Sequence, residues 1–300
     1  MKKSKLLLCA LLLALAPLAA CGDDDQDPAV ATDGDATTTT EGAADVPQAI
    51  VSISPTATES LFAIGAGDQV VAVDDQSDYP EGVPTSDLSA YEPNVEAIAS
   101  YEPDLVVSSS ADPALVDGLE SLGIDVLVQE AAVEIDDVYA QIEELGDVTG
   151  HAEEARDLTA QMREDLAEIE AGAAERPELT AYWELDPTYY SVTSATFIGK
   201  LLGIVNVRSI ADEAQAEAND YPQLSAEFIV QADPDLILLA DTECCQQDAA
   251  SVAARDGWGG MKAVAEGNVI ALGDDVASRW GPRIVDLLRA IDEAATAAAL

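Results

Sequence analysis

The chain alternates short apolar, β-branched runs with longer stretches in which apolar residues recur every three or four positions. The runs at 50–53, 70–73, 105–107 and 124–128 have the length of buried parallel strands. Residues 56–65 and 115–122 read as helices between them. Thr56 or Thr58 stands near the first cap, and Gly65 and Gly123 follow the two ends. The same style returns with strands at 181–184, 236–239 and 269–272. Strands alternating with helices predict βαβ units, so the expected fold class is α/β, with two lobes that each hold a mainly parallel sheet flanked by helices.

Between the two sets, Val138, Ile142, Leu145, Ala152, Ala155, Leu158, Met162, Leu166 and Ile169 keep a helical period with one gap. Residues 136–173 are therefore expected to join the lobes as a long backbone helix, amphipathic, and bent or broken near Gly146 and Gly150. Such a stiff connector allows only small opening motions.

An internal repeat ties the two sets together. Asn94-Val95-Glu96 leads into Tyr101-Glu102-Pro103-Asp104-Leu105, and Ser225-Ala226-Glu227 leads into Ala232-Asp233-Pro234-Asp235-Leu236. In each copy a Glu stands seven residues before the proline. The proline stops a short helix and an apolar strand follows.

The first residues change the picture of where the protein works. Lys2, Lys3 and Lys5 precede an apolar stretch at 6–18 that is too short to span a bilayer, and Leu18-Ala19-Ala20-Cys21 follows. This resembles a bacterial lipobox, which implies cleavage before Cys21 and lipidation of its sulfur. An ordinary secretory signal cut after Ala20, leaving Cys21 free, is the alternative. Both routes export the protein. Residues 21–47 are rich in Asp, Thr, Gly and Ala, with too little apolar surface to offset the entropy of ordering, and read as a tether. The expected organisation is signal 1–20, tether 21–47, first lobe 48–135, connector 136–173 and second lobe 174–300.

Charge narrows the partners. With 58 acidic against 13 basic residues in 300, the net charge of −45 repels nucleic acid and anionic membrane surfaces. One histidine, His151, falls in the connector, so no Ser-His-Asp set assembles in the usual way, and no phosphate loop, His-Glu-x-x-His or Cys-x-x-Cys motif is present. The expectation is a non-enzyme without a resident cofactor or metal. For the adjacent Cys244 and Cys245, a strained vicinal disulfide, two free thiols and a metal contact stay open.

The run Ser52-Ile53-Ser54-Pro55-Thr56-Ala57-Thr58-Glu59-Ser60-Leu61-Phe62-Ala63-Ile64-Gly65 is the longest of several family-like pieces. Ser77-Asp78-Tyr79-Pro80, Asn94-Val95-Glu96, Tyr221-Pro222-Gln223-Leu224-Ser225-Ala226-Glu227 and Gly281-Pro282-Arg283-Ile284 follow in order. Together the chain resembles the ABC-importer solute-binding proteins for iron chelates and cobalamin. The resemblance implies a monomer that captures a bulky chelate between its lobes, a corrinoid or a ferric siderophore, and hands it to an ABC permease with its ATPase. It implies that Glu96 and Glu227, one per lobe, dock onto that permease.

For the ligand cleft, the resemblance points to Tyr221, to Tyr189 or Tyr190, to Tyr91 and Tyr79, and to Arg279 as a donor to the ligand. Gln76 stands where the family has a tyrosine. Trp183 and Trp280 are further candidates, because flat rings bury large area with few rotatable bonds. Trp258 reads as packing. Rival readings are a haem- or bare-metal-binding protein of the same fold, though one histidine is poor equipment for a bare metal ion, and a surface lipoprotein with no transport role.

Overall fold

A computed structural model describes residues 46–214 and 219–300. The expected signal, Cys21 and the tether through residue 45 lie outside the described residues. The first sheet holds β1 (Ile50–Ile53), β2 (Val70–Asp74), β3 (Thr85–Leu88), β4 (Leu105–Ser108) and β5 (Asp125–Val128) in the order β3-β2-β1-β4-β5. The second holds β6 (Leu179–Glu184), β7 (Val207–Ser209), β8 (Leu236–Leu239) and β9 (Val269–Ala271) in the order β7-β6-β8-β9. Every pairing in both sheets is parallel.

Helices α1 (Pro55–Ala63), α2 (Val95–Ala99) and α3 (Pro113–Glu120) belong to the first half, and α4 (Ile135–Thr149) and α5 (Ala152–Ala173) follow. The second half carries α6 (Phe197–Ile204), α7 (Ala226–Ala232), α8 (Ala249–Ala253), α9 (Lys262–Ala265), α10 (Asp274–Ser278) and α11 (Ile284–Ala298). None of the described helices is long and apolar enough to cross a membrane.

Local chemistry explains the boundaries. The cap of α1 is Ser54, not Thr56 or Thr58: its hydroxyl accepts the N–H of Ala57, and Pro55 fills the first helical position, where its fixed φ suits the helix and its missing N–H is not needed. The repeated Pro-Asp-Leu is a sheet device. Asp104, just before β4, accepts the N–H groups of Gln48 and Ala49 at 2.9 and 2.8 Å, at the entry to neighbouring β1. Asp235, just before β8, accepts the N–H and hydroxyl of Thr180 on neighbouring β6 at 2.8 and 3.0 Å. Each carboxylate satisfies backbone donors at the start of the strand beside its own.

The break expected near Gly150 is a full reversal of direction. Gly150 closes α4 at φ 80°, a left-handed conformation that glycine adopts without a Cβ clash, and α5 starts two residues later. Contacts between the helices then step backward along α5 as they step forward along α4. The Arg163 guanidinium lies over the Tyr139 ring, Thr159 donates to Glu143, and Arg156 pairs with Asp147. Gly146 permits the close approach: a Cβ there would lie 2.4 Å from that of Ala155.

This hairpin touches both halves. Near its start Glu134 pairs with Lys200 of α6, near its turn α4 packs on α1, and α5 packs on α6 and α11. At 22 residues α5 is about 33 Å long. One buried apolar cluster runs without interruption from Ile50 and Leu61, through Ile142, Leu145, Met162 and Leu166, to Trp183, Leu236 and Leu287.

Candidate functional site

In open parallel sheets, ligands bind beyond the carboxyl ends of the strands, where the strand order reverses. The first sheet reverses between β1 and β4, the second between β6 and β8. A cavity of about 340 Å³ opens at the first of these points. Its walls are the residues just past the strands: Ser54 after β1, Gln76 after β2, Ala90 and Tyr91 after β3, and Ser109 after β4. A cavity of about 320 Å³ opens at the second, walled by Leu185 after β6, Ala240 after β8 and Asp274 after β9, with Val192, Phe197, Ile198 and Tyr221. Ala131 and Ala132, beyond β5, also line the second cavity, so it is closed from the first half as well.

Ser278, Arg279 and Trp280 line both cavities. The segment joining α10 to α11 therefore walls both spaces, which lie side by side between the halves and are together called the cleft. The Trp280 indole N–H donates to Gln141 of α4 at 3.0 Å, which fixes the ring. Tyr91 and Tyr221 are exposed to the cleft, at 81% and 48% of their full area.

Of the residues expected at the cleft, Gln76, Tyr91, Tyr221, Arg279 and Trp280 line it. Four others are used differently. Trp183 is fully buried on β6, on the face opposite Tyr182; a central strand covered on both sides sends neighbouring side chains into two separate cores. Tyr189 stacks on the buried Trp258 with ring centroids 5.6 Å apart. Tyr190 forms a bridge with Gln223 and lines neither cavity. Tyr79 lies under the Arg283 guanidinium, 4.1 Å from the ring centre. Phe197, Leu185 and Val192 were not legible as cleft residues. Phe197 did carry a signal, as the first helical residue after the Thr196 cap, where a parallel fold brings a helix N-terminus to the carboxyl edge of the sheet.

Arg279 is engaged within the protein and not free for a ligand. Its side chain is 9% exposed and reaches Glu59 at 2.8 Å, Asp78 at 3.2 Å, Asp275 at 2.7 Å and the Gln76 carbonyl at 2.7 Å. Arg283 adds two more donors to the buried Glu59. Glu59 sits on α1 and both arginines lie beyond α10, so the cluster clamps the two halves together beside the cleft. Burial, opposed by Arg279 and reinforced by the adjacent Asp78, pushes the Asp275 carboxyl up to about 6. Asp274 goes the other way. Against partial burial, the N–H groups of Cys244 and Glu243 hold it below the usual carboxylate range.

Cys244 and Cys245 are free thiols, so the vicinal bridge is not formed; adjacent Cα atoms about 3.8 Å apart lie below the usual range for a disulfide. Glu96 and Glu227 occupy the second helical position of α2 and α7, capped by Asn94 and Ser225. Both are exposed and take no hydrogen bond or ion pair among the described residues.

Two parallel sheets that face each other across a ring-lined cleft, clamped by ion pairs and joined by helices, define a helix-linked solute-binding protein. The chain belongs to the periplasmic binding protein family, whose model matches residues 50–276. It is similar to the uncharacterized ABC transporter substrate-binding lipoprotein YvrC of Bacillus subtilis, with 31% identity over 95% of each chain. The cobalamin-binding protein of Halobacterium salinarum is 31% identical over 91% of this chain and 77% of that one. Among solved structures, the periplasmic heme-binding protein HutB of Vibrio cholerae superposes with a TM-score of 0.72 at 20% identity, covering 82% of this chain and 98% of that one. At that identity the last likeness speaks for the fold alone.

Proposed function

We propose that this protein is the extracytoplasmic binding component of an ABC importer, and that it captures a bulky metal chelate in the cleft between its two sheets. The observation that carries this reading is the cleft itself. It lies at the reversal points of both sheets, is shared by both halves, and is walled by Tyr91, Tyr221, Phe197 and Trp280. Rigid rings beside small polar residues suit a wide, flat ligand with polar edges. The cobalamin-binding relative supports the same ligand class.

In this reading Glu96 and Glu227 are the two handles offered to the permease. Their support is equal placement at the start of equivalent crossover helices, together with exposure and freedom from internal pairs among the described residues. The duty of the neighbouring Asp104 and Asp235 is internal, which leaves the glutamates as the part of the repeat without a structural task. A lipid on Cys21 would hold the monomer at the membrane surface.

The test is uptake of radiolabelled chelate by cells carrying Glu96→Ala with Glu227→Ala. Uptake is expected to fall to background while the purified variant keeps the affinity of the wild type. Equal loss of binding would remove the docking role.

A further inference from the structure

The charge of the cleft discriminates among chelates. Among the described residues that line its two cavities, the charged ones are Asp274, Asp275 and Arg279. Arg279 is the single cation, and two of its nitrogens already meet Glu59, Asp78, Asp275 and the Gln76 carbonyl. Arg283, the other guanidinium of the cluster, holds both oxygens of Glu59 and rests on the face of Tyr79. With every carboxylate ionised, Glu59, Asp78, Asp274 and Asp275 outnumber the two arginines. The chain as a whole carries a net charge of −45.

The remaining polar lining is neutral. Ser54, Thr56, Ser109, Ser278, Gln76 and the phenols of Tyr91 and Tyr221 offer hydroxyl and amide groups. Such groups match carbonyl and amide edges, but none supplies a full positive charge to a carboxylate or catecholate. An anionic ligand would have to pull Arg279 from four oxygen partners and then meet the carboxylates left behind.

Resting on the chelate-binding reading above, we propose that the cleft selects chelates that carry no net negative charge and have neutral amide or carbonyl edges, and rejects anionic ones. A corrinoid edged with amides and a ferric trihydroxamate share that chemistry. A porphyrin with two carboxylates and a ferric tris-catecholate do not. The structural likeness to a haem-binding protein therefore does not extend to cargo.

Titration calorimetry on the full chain tests this with four probes: aquocobalamin, ferrioxamine B, haemin and ferric enterobactin. One of the first two is expected to bind at least about ten-fold tighter than either of the last two, a gap of about 1.4 kcal/mol; which of them binds names the source. The gap is expected to narrow between about 0.01 M and about 0.15 M salt, as the screening length falls from about 30 to about 8 Å. Asp275→Asn is expected to raise haemin affinity several-fold relative to the cationic chelates. Tight binding of haemin or the catecholate at low salt, or no response to Asp275→Asn, overturns the charge rule and leaves the chelate reading standing. Binding of none of the four removes both.

Discussion

Two buried carboxylate sites in this molecule are supplied with guanidinium groups in opposite ratio. Beside the cleft, Glu59 is met by Arg279 and Arg283 together, and the further carboxylates of the cluster include Asp78, which reaches solvent. Inside the second half, Glu184 and Asp241 are both fully buried, yet one guanidinium serves them. Arg255 bonds both oxygens of Glu184 at 2.6 and 2.5 Å, and neither oxygen of Asp241 finds a partner among the described residues. Burial, aided by the charge of Glu184 and opposed by Arg255, pushes Asp241 up to about 7. The first cluster joins segments more than two hundred residues apart and holds the halves together. The second joins neighbouring elements of one sheet and retains a proton. A buried carboxylate with matched donors works as a clamp; one without them responds to pH.

The largest effect is expected from Glu59→Gln, which takes the carboxylate partner from Arg283 and one of three from Arg279 in a buried site. Urea unfolding should show a loss of about 3–5 kcal/mol. A loss below about 1 kcal/mol would mean that the apolar cluster alone holds the halves. Asp241→Asn should act in the opposite sense, and only at higher pH. The raised carboxyl keeps its proton in the folded protein while the unfolded chain ionises, so wild-type stability falls as pH rises from about 4 through about 7. The variant should match the wild type near pH 4 and exceed it by about 1–3 kcal/mol near pH 8, followed as melting temperature. A constant difference across that range would contradict the retained proton on Asp241. The smallest effect belongs to Asp78→Asn, whose exposed side chain should contribute only about 0–1 kcal/mol.

Legibility differed for physical reasons. Long period-3.6 and β-branched patterns specify burial, so the apolar strands of the two sheets and the helical character of the connector are legible, whereas strands β3 and β7 are not. The reversal at Gly150 was foreshadowed by its glycines, but its angle depends on the approach of Gly146 to Ala155, a contact between helices. Strand β3, with the sequence Thr85-Ser86-Asp87-Leu88, carries no apolar run because it is an edge strand with one partner.

At the cleft, Tyr91 and Tyr221 follow from the family resemblance and Trp280 from the value of a flat ring, whereas Trp183 and Tyr189 have the same chemistry and are absorbed by packing. The side of a strand or turn on which a ring falls is set by tertiary contacts. Arg279, expected as a donor to the ligand, lines the cleft but spends its donors within the protein. Its partners Glu59, Asp78 and Asp275 come from distant parts of the chain, and spacing along the sequence does not reveal that they meet.

The central claim is that the ring-lined space at the reversal points of both sheets receives the chelate. It is tested most directly by calorimetry of the tightest-binding chelate with wild type, Tyr221→Ala and Trp280→Ala. Each substitution is expected to weaken binding about ten-fold or more while leaving the melting temperature of the protein within a few degrees. Unchanged affinity in both variants would place the ligand elsewhere and contradict the account.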